Sequence, residues 1–526
     1  MLILHHARIY SDLSTDQTCQ ALAIENDQII ATGTNSDILN LFRPGTKAEN
    51  MEGKTILPGL MDGHLHLENY GKSLFIIDCE TTTKSECLER VRDRVRQSQP
   101  GEWIMGHGWN QNEWREGYGT VEELDAIAPH NPVVLTAKSL HAMWVNSLAL
   151  EKCSIHKNIP DPVNGKFGRY PSGELNGILF ESTMNSVYSA LPKPTLEESI
   201  RYIQAAQENL WQLGITGVHD FDPVSCYRAL QYLDMENQLK LRVIKGIPLD
   251  FLEEAVNIGL KTGFGSPLLK IGPAKLFMDG ALGPQTAAMF EPYENSQQTG
   301  ILSLDQESVF EYGKKASQSG LSLATHAIGD RANHEAILAY QKLRDYENHH
   351  RIPHLRHRIE HVQLLTEKDF DQFFRLEIIA SMQPIHATSD MDIAEKFWGT
   401  RASNAYAFKA LLEKKATLSF GSDAPVESPN PFLGIHAAVT RRRKDGTPSY
   451  NGWYPQQRID LKSAFTAYTI GSAIAGNIEN ISGKLLPGFY ADLIVLTEDP
   501  FLIPPQNLYQ IKPRSTMISG QWVWKS

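Results

Sequence analysis

Two histidines, His64 and His66, stand two positions apart at the end of the run Ile56-Leu57-Pro58-Gly59-Leu60-Met61-Asp62-Gly63-His64-Leu65-His66. In an extended strand, residues i and i+2 project to the same side. Both imidazoles are then aimed at one point, as two ligands of a divalent cation must be. The spacing alone is weak, because 18 His in 526 residues give roughly 0.6 His-x-His pairs by chance. The flanking Pro58-Gly59 and Asp62-Gly63 raise the signal by marking the ends of a short buried strand.

A metal site needs more ligands, and four other strand ends offer them. Lys275 lies in Leu269 to Gly280, a strand running into Asp279-Gly280; His326 closes Leu321 to His326; His361 ends Arg358 to Val362; Asp423 follows Ala416 to Ser422. Polar residues at the carboxyl ends of strands are where barrel enzymes keep their chemistry. His354, His357 and His361 are also spaced to share one helical face. A strand from Leu355 to Val362 is preferred, which leaves His354 and His357 as surface or structural residues. His219 and Asp220 are adjacent and would point to opposite faces of a strand, so one of them is structural. His386, in Met382 to His386, follows a strand with no spacing argument attached.

These residues require a frame of buried strands. Leu2 to Ile9, Gln20 to Ile24 and Gln28 to Thr32 read as a small antiparallel sheet. From Thr55 to about Ala475 strands alternate with amphipathic helices, as in Gly217 to Phe221 after the helical Leu196 to Leu213, which indicates a parallel α/β sheet or barrel. Strands return at Ala491 to Leu496 and Ser515 to Trp524. The expected organisation is a β-sandwich first part over 1–56, a (β/α)8 TIM-like barrel over 57–480 with an insertion of about 70–210, and a sandwich second part over 481–526. The insertion is rich in aromatics, including Trp103, Trp109, Trp114, Tyr118 and Trp144. Trp109, Asn110, Trp114 and His141 are read as a substrate wall, with Asp279 as a further substrate contact. The competing assignment for each tryptophan is the insertion's own core.

The order His-x-His, Lys, His, His, Asp on successive strands resembles the binuclear amidohydrolase superfamily. Glu174 to Leu179, Gly214 to Asp220, His326 to Arg331, Arg358 to His361, Gly421 to Pro425 and Pro487 to Leu493 are similar to motifs of its amidohydrolase family 3 branch, which includes N-substituted formamide deformylase-like proteins. The resemblance covers nearly the whole chain. It implies two divalent metal ions, zinc foremost, and a carboxylated Lys275 that bridges them. His64, His66 and Asp423 would hold one ion, His326 and His361 the other, with Asp423 as the acid/base residue. An ordinary lysine cannot ligate, since its ammonium has no lone pair; salt-bridged to Asp279 or Asp423 it would leave one metal or none. The implied reaction is metal-dependent hydrolysis of a carbon–nitrogen bond in a small-molecule amide. Two alternatives stand beside it: a mononuclear deaminase-type hydrolase and a non-catalytic scaffold of the same fold.

Net charge of -11 and pI near 5.9 argue against nucleic-acid and membrane-surface partners. A homodimer is left open. The basic run Arg441 to Lys444 reads as a solvated loop or helix end. Five scattered cysteines without a Cys-x-x-Cys pair exclude a zinc ribbon and disfavour a disulfide framework. The start carries no signal-peptide pattern, so the expected compartment is the cytoplasm.

Overall fold

Eight short strands are buried along most of their length, as a parallel sheet covered by helices requires. They are β1 (Leu60–Leu65), β2 (Ile215–Asp220), β3 (Arg242–Pro248), β4 (Leu269–Phe277), β5 (Leu323–Ala327), β6 (Arg358–His361), β7 (Ile379–Met382) and β8 (Thr417–Phe420). The computed structural model describes residues 1–526 except Asp16, Ser139, His141, Val163 and Asn164. Each strand pairs in parallel with the next in chain order. Helices such as Val224–Met235, Gln306–Ser319 and Asp330–His350 make the crossovers. The result is a (β/α)8 barrel.

The ring closes just past the ends of β1 and β8. The Asp423 N–H donates to His64 O at 2.7 Å, and the His66 N–H donates to Ala424 O at 2.8 Å. Asp62 clamps the same seam, accepting from the Ser422 hydroxyl at 2.6 Å and from the His64 N–H at 3.0 Å. Such close approach needs Gly63, where a Cβ would lie 2.3 Å from Ser419 Oγ and 2.9 Å from Phe420 O. Sequence and site meet here: the residue before His64 has no side chain because the seam leaves no room for one.

Both chain ends build a sandwich. Leu2–His5, Ala21–Glu25, Gln28–Gly33 and Lys47–Asn50 form one sheet; Arg8–Ile9, Thr55–Pro58, Leu493–Leu496, Pro513–Ile518 and Gln521–Lys525 form the other. Leu4, Leu22, Ile24, Ile56, Leu493, Val495 and Met517 fill the space between. The expected single strand Leu2 to Ile9 is split. His6 takes a left-handed φ of 54°, which turns the chain and sends its two halves to different sheets. The first sheet is also mixed, because Leu2–His5 runs parallel to Lys47–Asn50.

Residues Glu68–Ala205 form a separate compact unit, the remainder of the chain forming the other. Its six-stranded sheet runs in the order Gly165–Arg169, Leu175–Glu181, Ala142–Val145, Val133–Ala137, Ile104–Trp109, Ile77–Asp78. The Arg441 to Lys444 run departs from expectation. Arg441 is fully buried, donating to the carbonyls of Trp453 and Tyr406, each at 3.0 Å, with its guanidinium 4.7 Å from the Trp453 ring centre. Burial pushes its pKa down to about 9. Carbonyls and aromatic faces replace water around this cation, whereas Lys444 is exposed. Among the described residues no helix is long and apolar enough to cross a membrane.

Candidate metal centre

β1 and β8 meet at the seam, and their ligand candidates meet with them. Asp423 Oδ1 lies 3.5 Å from Nε2 of both His64 and His66. His64, His361 and Asp423 offer ligand atoms that all lie within 4.8 Å of one another. The His361 ring is 5.0 Å from that of His64 and 4.5 Å from that of His326. His64, His66, His326, His361 and Asp423 therefore gather at the carboxyl end of the barrel, around one small volume.

Three of these imidazoles are tied back from behind. His64 Nδ1 is 2.6 Å from Glu360 Oε2, His361 Nδ1 is 2.9 Å from Gln383 Oε1, and His326 Nε2 is 3.0 Å from Gly280 O. A carboxylate or carbonyl oxygen only accepts, so each ring places its single N–H there and keeps a lone pair on the other nitrogen. His64 and His361 thus present Nε2, and His326 presents Nδ1. Burial holds all three well below the ordinary imidazole pKa, to about 4 for His64 and about 3 for His326. Asp423 is held far below the carboxylate range: burial opposes ionisation, but the hydrogen bond from His66 and the surrounding imidazoles outweigh it. His64, His326 and His361, neutral and with lone pairs beside an ionised carboxylate, form a donor set that fits a divalent cation. Burial works to lower the pKa of His66, but Asp222 and Asp423 push it up to about 10, so its imidazolium must give up a proton before it can join them.

Lys275 is buried with them, its amine 4.6 Å from the Phe221 ring centre and 5.0 Å from that of Phe277. Burial lowers the amine's pKa to about 8, against the nearby Glu360 and Asp423 charges, which work to raise it. Asp279, expected to touch substrate, clamps a loop and also places Oδ1 3.5 Å from His326 Nε2. Its carboxylate accepts from the N–H groups of Ile328, Gly329 and Ala288 at 3.0, 2.8 and 3.0 Å. Trp109 and Trp114 likewise belong to the insertion's core, with indole N–H groups donating to Leu135 O at 2.8 Å and Thr81 O at 3.0 Å. Asn110 accepts from the Asn112 N–H in a local turn. His141 lies outside the described residues.

A family model described as the amidohydrolase family matches residues 47–524. The chain belongs to the amidohydrolase family. Bacillus subtilis (strain 168) YtcJ is 31% identical over 538 residues, covering 99% of each chain. The N-substituted formamide deformylase of Arthrobacter pascens is 24% identical over 99% of this chain and 97% of its own. A metal-dependent hydrolase of Pyrococcus horikoshii OT3 superposes with a TM-score of 0.80 at 29% identity, covering 96% of this chain and 99% of that one. Family and neighbours together support a metal-dependent hydrolase.

The backbone of this amidohydrolase-family site is held in sparsely populated conformations. His361, Val362 and Asp423 take φ of 73°, 46° and 61°, which costs of order 1–3 kcal/mol each and persists only where the surroundings enforce it. The turn at His361 also breaks strand alternation. Glu360 and His361, adjacent in sequence, thereby both serve one centre. A second group of potential ligands, Asp220, Asp222 and Cys226, is already supplied with a cation: the Lys245 ammonium lies 3.1 Å from Asp220 and donates to Asp222 O. Sequence reasoning missed Glu360, Gln383 and Phe277. A glutamate inside a buried barrel strand was the available signal, since a buried carboxylate must have partners.

Proposed function

We propose that this chain hydrolyses a carbon–nitrogen bond, other than a peptide bond, in a small-molecule amide such as an N-substituted formamide or another N-acyl compound. The observation that supports it most is Asp423, ionised and 3.5 Å from both His64 and His66 at the end of the barrel. His64, His66 and Asp423 would hold one divalent cation, and His326 and His361 a second. When bound, such cations, zinc foremost, supply Lewis acidity and lower the pKa of water toward about 7. Asp423 accepts the proton of the attacking water and delivers it to the departing nitrogen. Glu360, Gln383 and the Gly280 carbonyl keep the imidazoles turned toward the centre.

Lys275 suits the bridging role. At a pKa of about 8, about a tenth of it is free amine at pH 7, against under about a thousandth for an ordinary lysine. Its nitrogen lone pair can add to carbon dioxide, forming an N–C bond and releasing one proton, to give an anionic carbamate.

The residue that suits a substrate wall better than the tryptophans is Phe277, which ends β4, is 52% exposed and has its ring centre 5.3 Å from that of His326 at a tilt of 38°. An exposed phenyl beside a polar centre favours an amide bearing a flat apolar group. The A. pascens relative is named for N-substituted formamides, a class that agrees with this reading.

A one-cation, deaminase-type reading is favoured by one observation: His64, His361 and Asp423, the group with mutually close ligand atoms, spans both proposed ion positions. Metal content per chain after expression with zinc and bicarbonate separates the readings. A ratio near two supports the binuclear amidase, and formamide turnover would follow; a ratio near one with ammonia release favours the deaminase. No bound metal sinks both and revives a scaffold.

A further inference from the structure

We propose that Gln383 is a positioning residue whose carboxamide oxygen selects the nitrogen that His361 turns toward the cation; this rests on the metal-centre reading above. Gln383 directly follows β7, is buried, and places Oε1 2.9 Å from His361 Nδ1. A neutral imidazole has one N–H, and the amide decides where it goes. With Oε1 facing the ring, Nδ1–H donates to it and Nε2 keeps a lone pair for the His64 and Asp423 cluster. With the NH2 group facing the ring, Nδ1 must accept, the proton moves to Nε2, and an N–H is aimed at the cluster where a ligand is needed.

Nothing at the other end of the amide makes this choice. Gln383 Nε2 is buried without a partner among the described residues, so either orientation makes one bond to His361 and leaves one amide atom unpaired. The two neighbouring locks have no such freedom, because the Glu360 carboxylate and the Gly280 carbonyl can only accept. Gln383 is the reversible lock of the three. Its oxygen-inward orientation is the one a cation reinforces, since binding removes the alternative in which Nε2 is protonated.

The test uses the full chain with Gln383→Met, which keeps the size and loses the strong acceptor, and Gln383→Glu, which accepts at both oxygens. Zinc affinity is read by competition with a chromophoric chelator, alongside the thermal midpoint of the metal-free protein. The expected result is an affinity about 10- to 100-fold weaker in Gln383→Met, restored in Gln383→Glu, with the metal-free midpoint of Gln383→Met like that of wild type. Equal zinc affinity in Gln383→Met and wild type would overturn the proposal, as would an equal loss in Gln383→Glu. Neutron diffraction from zinc-loaded wild-type crystals supplies a reading that depends on no variant: a proton on His361 Nδ1 is expected, and one on Nε2 overturns it. A wild-type chain that binds no zinc would overturn the metal reading and this inference with it, whereas zinc held equally well by wild type and Gln383→Met overturns this inference alone.

Discussion

His64 Nδ1 and Glu360 Oε2 lie 2.6 Å apart, and the same glutamate is gripped from below by Arg358. Arg358 is fully buried and also donates to Gly63 O, to Ser381 Oγ at 3.0 Å and to His219 Nδ1 at 2.7 Å. The barrel interior beneath the candidate metal centre is thus a charged column rather than a purely apolar plug. Glu360→Gln would leave the Arg358 charge uncompensated in a dry interior, where breaking a buried pair costs about 3–5 kcal/mol. A loss of this size should appear in urea unfolding of the metal-free chain, and an unchanged midpoint would contradict the column.

Asp423 is assigned the proton transfers. Asp423→Asn should keep the fold and much of the metal while lowering kcat by about 10²- to 10⁴-fold. Kinetics and metal analysis on one preparation check this, and near-wild-type turnover would remove Asp423 from the mechanism.

Phe277 is assigned the apolar end of the substrate. Because its ring is half exposed, Phe277→Ala should leave stability nearly unchanged. For an amide carrying an aryl group KM should rise about tenfold, the equivalent of about 1.4 kcal/mol, with kcat little altered. A methyl-bearing amide should show no such rise; equal effects on both would point to a general disturbance of β4.

Glu347 sets an acid limit far from the site. It is fully buried, accepting from Ser317 Oγ at 2.7 Å, His357 Nε2 at 2.9 Å and Arg344 at 2.6 Å. The Leu323 N–H donates to His357 Nδ1 at 3.1 Å, so this imidazole is neutral and donates through Nε2. Burial works to raise the glutamate's pKa, but these partners overcome it and hold it down to about 2 from 4.5. The unfolded chain therefore takes up this proton first as pH falls. The stabilisation, about 3 kcal/mol, is present in full above pH 4.5 and is lost toward pH 2. Urea unfolding from pH 6 to 2.5 should show Glu347→Gln with a shallower decline than wild type.

The barrel was legible in the sequence because most of its strands are short buried runs with a polar residue at or just past the end, a pattern that survives without any tertiary information. His64, His66, His326, His361 and Asp423 could be named from those endings. Other features depend on long-range contact. Trp109 and Trp114 could be read as a substrate wall or as the insertion's own core, since an aromatic cluster has the same composition either way. Asp279 looked like a site carboxylate because its partners are backbone N–H groups of Ala288, Ile328 and Gly329, which a sequence does not display. Arg441 was misread for the same reason: the carbonyls of Tyr406 and Trp453 that replace its water come from distant loops. Glu360 and Gln383 act through the alternation break at His361, and a left-handed φ at a histidine has no sequence mark.

The sandwich also fixes when the centre can be completed. Thr55–Pro58 leads through Gly59 straight into β1, the strand that carries His64, and its antiparallel neighbour is Leu493–Leu496. At ordinary translation speeds of about 5–20 residues per second, the ribosome delivers that neighbour roughly 20 to 90 s after Thr55–Pro58. During that interval Thr55–Pro58 lacks this neighbour, and until Asp423 and Ala424 are made β1 lacks its seam with β8. His64 and His66 therefore wait for Asp423, their partner across the seam, through most of the synthesis of the chain.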